Sequence, residues 1–395
     1  MRVLAALLLL VATAAAPALP RAPGMVAASS TLSPDSAERW VPFTLTPGNQ
    51  IRFTMMLDGK PVSAILDTGL SYSVLSRDFV AKAGLDVRQS GHATVIGGAI
   101  PIGWVATDRL ALGGLARTGG EITVASVPAL AAGGGAPVDL LVGPDLLAGY
   151  ALDIDYDARR FRLLPSGELP FRGETAPLSL SPRHHIYVTR ARLGGTTLNP
   201  IVVDTGDGSM LTVSDDAWRQ AEPKPPPTSA VSYGLGGTVV TGLAIVPQVT
   251  VGDLDARNIE VRVEPPGGFS DAVGAEGRIG SGFLERYRVL LDPGAGRIVF
   301  APGARADTMP PRSTSGLLLG AEPGRLRVMH VMRGSPAAAA GWKQGDLICS
   351  VDGSPIPADY ARKELSHWTV GEPGRVVTLG MCDGSTRRLR LESFY

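Results

Sequence analysis

Two short runs in the chain carry residue types that could hydrolyse an amide with water alone: Asp67-Thr68-Gly69 and Asp204-Thr205-Gly206. Two carboxyl groups held close together cannot both ionise, so they retain one proton between them. The ionised partner can take a proton from a water molecule while the protonated partner polarises a carbonyl group. No metal, cofactor or covalent intermediate is required. In each run the Asp supplies the carboxyl, the Gly lets the backbone turn tightly, and the Thr can hydrogen-bond across the pair of loops to fix their spacing. A lone Asp-Thr-Gly says little, because Asp and Gly are ordinary turn residues. Here each run follows an apolar pair, Ile65-Leu66 or Val202-Val203, as expected for a buried strand delivering a loop.

The two runs belong to a longer self-repeat. They are offset by 137 residues (67 to 204), and further on Leu141-Val142-Gly143 is matched by Arg278-Ile279-Gly280 at the same offset of 137 (143 to 280). Between these anchors Glu121-Ile122-Thr123-Val124 answers Asn258-Ile259-Glu260-Val261, and upstream the turn Leu57-Asp58-Gly59-Lys60 answers Leu193-Gly194-Gly195-Thr196 with a slip of one residue. Each copy reads mainly as β structure. Ile51, Phe53 and Met55 alternate with polar neighbours at the two-residue period of a half-buried strand. A short helix is predicted after each Asp loop: Ser76 caps one that Gly84 ends, and Ser214 caps the other. Glycine-rich hairpins follow at Gly97-Gly98 and Gly236-Gly237. Pro223 to Pro227 is a stiff connector inside the second copy.

These motifs together resemble the aspartic peptidases of the retropepsin and pepsin clan, over roughly Trp40 to Phe300. The resemblance implies a mainly β protein with two retropepsin-like closed β lobes forming an intramolecular pseudo-dimer, at residues 40–170 and 171–302. It implies Asp67 and Asp204 as the catalytic pair, supported by Thr68, Gly69, Ser71, Thr205 and Gly206. The hairpins at Gly97, Gly98, Gly236 and Gly237 would close over a substrate as flaps. Leu70 and Asp207 would line pockets beside the scissile bond, one apolar and one carrying a carboxylate that attracts Lys or Arg, unless Asp207 faces solvent as a turn residue. Family members often place Ser or Thr four residues after the Asp to bond its carboxylate. Ser71 fits that pattern and Gly208 does not, so Asp204 is expected to lack one hydrogen bond.

Beyond a polar linker at 303–315 the pattern changes. Gly316-Leu317-Leu318-Leu319, then Gly334 to Gly353 with its Gly-Ser-Pro-Ala-Ala and Gly-Asp-Leu-Ile runs, resemble a PDZ domain of exported bacterial proteases at 316–395. The resemblance implies an α+β module whose Gly316–Leu319 loop binds a C-terminal peptide by strand addition. A helix is expected over Asp359–Trp368 and a terminal hairpin over Val376–Leu391. A module that recognises but does not cut should be dispensable for short peptides, so removal of residues after Arg305 is expected to spare their cleavage.

The N-terminus reads as a secretory signal peptide over 1–18: Arg2, an apolar run, and cleavage candidates at Ala12-Thr13-Ala14 and Ala16-Pro17-Ala18, followed by a linker at 19–39. The run is shorter than the roughly 20 residues a spanning helix needs. The expectation is an exported protein, periplasmic or secreted, with no membrane span after signal removal. There Cys349 and Cys382 either pair or remain buried thiols. With 37 basic and 37 acidic residues and no basic run, nothing suggests a nucleic-acid partner. Five scattered His residues lack metal-ligand spacing, and Asp145, Asp153, Asp155 and Asp157 lack the Gly and closing Glu of a calcium loop, so they read as surface turns and no metal or cofactor is expected. Two function classes follow: an endopeptidase acting on protein or peptide substrates, or a catalytically silent peptide-binding protein on the same lobes.

Overall fold

Alternating burial makes the strands. Along Ile51–Leu57 the side chains of Ile51, Phe53, Met55 and Leu57 are buried and those of Thr54 and Met56 are exposed, so one face of the strand seeks a core. Asp58-Gly59 turns the chain back into Lys60–Leu66, whose last three residues are fully buried. The second copy does the same: Tyr187–Leu193 alternates, turns at Gly194-Gly195, and returns as Thr196–Asp204. The computed structural model describes residues 28–222, 224–360 and 363–395. The expected signal segment, residues 19–27 of the N-terminal linker, and Pro223 of the proline connector lie outside the described residues. Strand accounts for 48% and helix for 11%, which makes the chain mainly β.

The sequence repeat is a repeat of strand pairing. In the first half Lys60–Leu66 pairs in parallel with Leu140–Val142, which runs antiparallel to Val74–Ser76. That strand is parallel to Glu121–Ala125, and Gly98–Ala106 and Arg88–Val95 follow antiparallel. In the second half Thr196–Asp204, Gly277–Gly280, Leu211–Val213, Leu254–Val263, Gly237–Val251 and Thr228–Gly234 pair in the same order and directions. Leu140–Val142 and Gly277–Gly280 thus sit between two neighbours and are buried on both faces, which is why a charged residue in that position, Arg278, stands out. The capped helices form as expected. Ser76 Oγ accepts from Phe79 N–H ahead of Arg77–Ala83 with Gly84 left-handed at its end, and Ser214 Oγ accepts from Ala217 N–H ahead of Asp215–Gln220.

A six-stranded sheet joins the halves. Tyr150–Asp155 and Arg160–Pro165 come from the first copy, Tyr287–Asp292 and Arg297–Pro302 from the second, and Tyr150–Asp155 pairs antiparallel with Tyr287–Asp292. Asp153 at this seam is fully buried and accepts from Arg162 and Arg288, one from each copy. Asp145 is also buried, accepting from Ser73 N–H and Ser73 Oγ. These two acids are therefore interior anchors, a correction to the surface-turn expectation: a nearby Arg or two local donors offset the cost of burying each carboxylate.

Residues Leu317–Arg390 carry a separate six-stranded sheet with its own core, including Leu326, Val328, Trp342, Ile348, Trp368 and Leu379. Gly316, at φ 77°, turns the chain into the strand Leu317–Glu322. Leu317, Leu318 and Leu319 therefore start an edge strand and do not form the expected loop, because their apolar run pairs with Arg325–Val331. A 3-10 helix at Glu364–Val370 stands where a longer helix was expected, with Ala361 and Arg362 outside the described residues. The terminal hairpin pairs Val376–Met381 with Thr386–Arg390. Cys349 and Cys382 form a disulfide, which resolves the two alternatives for them.

The tail is not a free appendage. Thr228 Oγ1 donates to Arg333 O (2.6 Å), Arg333 N–H donates to Ser229 Oγ (2.9 Å), and Ser229 Oγ lies 2.9 Å from His330 Nε2. Ala230, Leu243 and Met332 pack with Phe394 and Tyr395. The tail thus covers the edge strand Thr228–Gly234, whose unpaired groups would otherwise be open to association.

The disulfide closes a loop of 33 residues inside the small tail core. The double substitution Cys349→Ser, Cys382→Ser should therefore destabilise the tail by about 2–4 kcal/mol, seen as a lowered tail transition in calorimetry with the main β core unmoved. An unmoved tail transition would refute a stabilising cross-link.

Candidate active site

Two strand ends deliver the Asp residues to one point. Asp67 follows Lys60–Leu66 and donates its N–H to Val142 O (2.9 Å), while Asp204 ends Thr196–Asp204 in register with Gly280. Between the loops the threonines exchange hydrogen bonds reciprocally. Thr68 N–H donates to Thr205 Oγ1 (3.1 Å) and Thr205 N–H to Thr68 Oγ1 (3.0 Å). Each hydroxyl also donates to a carbonyl across the seam, Thr68 to Val203 O (2.6 Å) and Thr205 to Leu66 O (2.9 Å). Both threonines are fully buried, so all four bonds form without competing water.

The glycines answer a different demand. A Cβ built on Gly69 would stand 2.4 Å from Asp204 Cγ, and one on Gly206 would stand 2.3 Å from Asp67 Cγ. Each loop's backbone therefore runs directly against the opposite carboxyl, an approach only glycine allows.

Burial raises both carboxyl groups above the usual carboxylate range. Asp204 is pushed up to about 6, by burial first and then by the Asp207 carboxylate, against the pull of the Arg278 guanidinium. Asp67 lies well above its usual range through burial first and then the charge of Asp204. The two carboxyls titrate as a pair, and the repulsion between them favours a state that holds one proton.

Around the pair the structure departs from expectation in three places. Ser71 lines the cleft but makes no hydrogen bond to Asp67 among the described residues; the wired hydroxyl is two residues on, where Ser73 Oγ donates to Asp145 and accepts from Gly143 N–H (3.0 Å). Among the described residues Asp67 Oδ1 accepts only Gly69 N–H (3.1 Å), whereas Asp204 Oδ1 accepts both Gly206 N–H (2.9 Å) and Asp207 N–H (3.0 Å). The second carboxyl is the better supported of the two, because residue 207 supplies a main-chain donor that needs no hydroxyl. Third, Asp207 is neither a free charge in a pocket nor a solvent-facing turn. Its carboxylate accepts Ser209 N–H (2.9 Å) and Arg278 Nε–H (3.1 Å). Burial works against its charge, but Arg278 and Ser209 outweigh it and hold Asp207 low.

Arg278 and Glu264 are the residues that sequence reasoning missed. Arg278 is buried, donates to Glu264 Oε1 (2.5 Å), and brings Nε within 3.8 Å of Asp204 Oδ2. The signal was present: a charge in a strand buried on both faces needs a partner. Gln50 was also unsignalled, and its Nε2 donates across to Gly206 O (2.9 Å).

The glycine hairpins meet over the pair. Gly236 N–H donates to Ile96 O (2.9 Å), and a Cβ on Gly97 would stand 2.7 Å from Gly236 C. Gly98 and Gly237 complete the two turns at positive φ. Beneath lies a cleft of about 830 Å³. Leu70, Ile65, Val74 and Ile102 line it from one half and Asp207, Glu260, Arg262 and Phe269 from the other; Pro310 and Pro311 of the linker also line it.

Residues 53–146 match the model of a family described as Aspartyl protease, a range that contains the first Asp-Thr-Gly and Leu141-Val142-Gly143. The chain is an aspartic-type peptidase. A solved structure of an aspartic proteinase from Irpex lacteus is similar at 15% identity and a TM-score of 0.42, covering 71% of this chain and 99% of that one. No curated protein matches the sequence. Among the described residues no helix is long and apolar enough to cross a membrane, and no group of His, Cys, Asp or Glu is arranged to hold a metal ion.

The raised carboxyls have a stability consequence for the peptidase. A carboxyl whose folded pKa exceeds its unfolded value favours the fold fully at low pH, and that contribution is lost as pH rises through the folded pKa. Asp67→Asn removes this loss. The variant should match the parent near pH 3.5 and be the more stable of the two at pH 7, measured by denaturant unfolding at both values. A pH-independent difference would contradict the raised pKa.

Proposed function

We propose that the chain is an aspartic endopeptidase with one active site per molecule, formed between two retropepsin-like lobes of an intramolecular pseudo-dimer. The observation that carries this reading is the reciprocal Thr68–Thr205 bonding, which holds Asp67 and Asp204 together at the floor of the cleft. A water molecule between the carboxyls loses a proton to the ionised one as its oxygen attacks the scissile carbonyl carbon, and the protonated one supplies the proton that the carbonyl oxygen gains. Thr68, Thr205, Gly69 and Gly206 position the pair. The hairpins around Gly97-Gly98 and Gly236-Gly237 act as flaps that exclude bulk water. Leu70 makes the pocket of the first lobe apolar. Asp207 confers no preference for Lys or Arg, because Arg278 already meets its charge.

The substrates are proteins or peptides entering in extended form. The tail acts as a PDZ-like module. Its edge strand Leu317–Glu322, with Leu318 exposed, offers a site for a C-terminal peptide to add as a further strand. The protein is exported, to a periplasm or the medium; the signal-like N-terminus and the Cys349–Cys382 disulfide support this.

Asp67→Asn and Asp204→Asn should each abolish cleavage of an unfolded protein substrate, by at least about 1000-fold, while leaving the fold intact by circular dichroism. A pepstatin-type transition-state mimic should block the parent. Near-parental activity in either variant as a monomer would refute a single shared pair.

Packing of the tail on the flap edge revises the expectation for truncation. Removing residues after Arg305 uncovers Ala230 and Leu243 and removes Pro310 and Pro311 from the cleft, so cleavage of short peptides should also fall, by about 10-fold or more through a loosened flap. Unchanged kcat/KM on a short peptide would restore the original view of an independent tail.

A further inference from the structure

The two Asp-Thr-Gly loops are alike in backbone and unlike in charge. Among the described residues, only the Asp of the second, Asp204, has a buried cation within ion-pair distance. Arg278 reaches it from Gly277–Gly280, the strand beside Thr196–Asp204, at a place where the first copy has Leu141. Its Nε stands 3.1 Å from Asp207 Oδ2 and 3.8 Å from Asp204 Oδ2, so one guanidinium edge faces two carboxylates, while its Nη1 is tied to Glu264 (2.5 Å) and to Ser270 Oγ (3.3 Å). Phe269 lies under its plane, with the ring centroid 5.3 Å from Cζ. A guanidinium held at both ends in a fixed plane is a preorganised charge, not a mobile one.

We propose that Arg278 is a positioning residue that keeps the negative charge of the pair on Asp204 and the proton on Asp67, and that Asp207 competes with Asp204 for it. This rests on the peptidase reading above. The groups facing Asp204 make the balance legible. Asp67 comes from the opposite loop, Asp207 from its own loop, and Arg278 from the neighbouring strand; Glu264 stands behind Arg278, and Arg262 weighs on Asp207. At the cleft walls are also Glu260, Glu285, Arg183, His92 and His184. Among the described residues no cation is paired with Asp67, whose raised state follows from burial first and then the charge of Asp204, with a smaller push from Asp207 against the pull of the Gly69 N–H.

The assignment gives each carboxyl one task. Asp204 accepts the proton of the attacking water as the new C–O bond forms, and Asp67 gives its proton to the carbonyl oxygen. When the C–N bond breaks, Asp204 returns its proton to the departing nitrogen and Asp67 regains one from the collapsing diol, so protons balance over the cycle.

The test uses the full chain and substitutions with opposite expected signs. Asp207→Asn keeps shape and removes the competing carboxylate, so both limbs of the kcat/KM profile should move down by about one pH unit. Arg278→Leu with Glu264→Gln removes the cation and the acid it would orphan, and both limbs should move up by about one unit or more. Arg278→Lys keeps the charge and should fall between the parent and that double variant, and together with Asp207→Asn it decides the matter if the double variant fails to fold. The substrate is reduced, alkylated serum albumin between pH 3 and pH 9. In parallel, the carbon-13 resonances of labelled Asp side chains follow the titration of the pair without reference to activity. Opposed shifts in both readouts support the proposal. Shifts of one sign, or none, overturn it. Opposed shifts in the resonances of a protein that shows no Asp67-dependent cleavage would sink the peptidase reading and leave the charge assignment standing.

Discussion

Four hydrogen bonds between Thr68 and Thr205 and the opposite backbones hold together two chain segments 137 residues apart. Everything at the cleft floor depends on that exchange. Two buried carboxyl groups repel when ionised and cost desolvation energy, so they stay in contact only if something stronger fixes their loops. The threonines do this because each hydroxyl can donate and accept at once, and because all partners are buried. Once the loops are fixed, the remaining features are forced. The residue after each threonine must be glycine, since any Cβ would occupy the opposite carboxyl.

Stability and function oppose each other at this point. The pair is kept partly protonated against its preference in water, a cost the surrounding β core must carry. That core is large and continuous, running through both halves from Phe53 and Phe161 to Phe283 and Phe300, with a joint sheet between them. A core shared across the seam is what lets two unfavourable groups be held rigidly. The same seam admits Gln50, whose amide spans from one half to Gly206 of the other.

The tail enters the same economy by packing on an edge strand of the second half. Its hydrogen bond from Arg333 N–H to Ser229 Oγ, and the burial of Met332 with Phe394 and Tyr395, tie a separate small core to the hairpin that reaches over the cleft. Two units with separate cores are thereby linked at the edge of that hairpin.

Much of this was legible in the sequence because it rests on local chemistry. Paired Asp-Thr-Gly runs, apolar strands before them, serine caps, glycine turns and a repeat at constant offset are all written in neighbouring residues. They led to the mainly β fold, the two pairing units and the meeting of Asp67 with Asp204. What the tertiary structure decided concerns partners distant along the chain. Which hydroxyl bonds which carboxyl depends on where loops cross, so Ser73 is wired and Ser71 is not. Whether Asp207 is a free charge depends on Arg278, 71 residues away. Whether a leucine run is a loop or a strand depends on Arg325–Val331 beside it. Charge balance and strand neighbours are set by the assembled environment, because Coulomb and hydrogen-bond energies act through space and desolvation is known only once the chain has closed around a group.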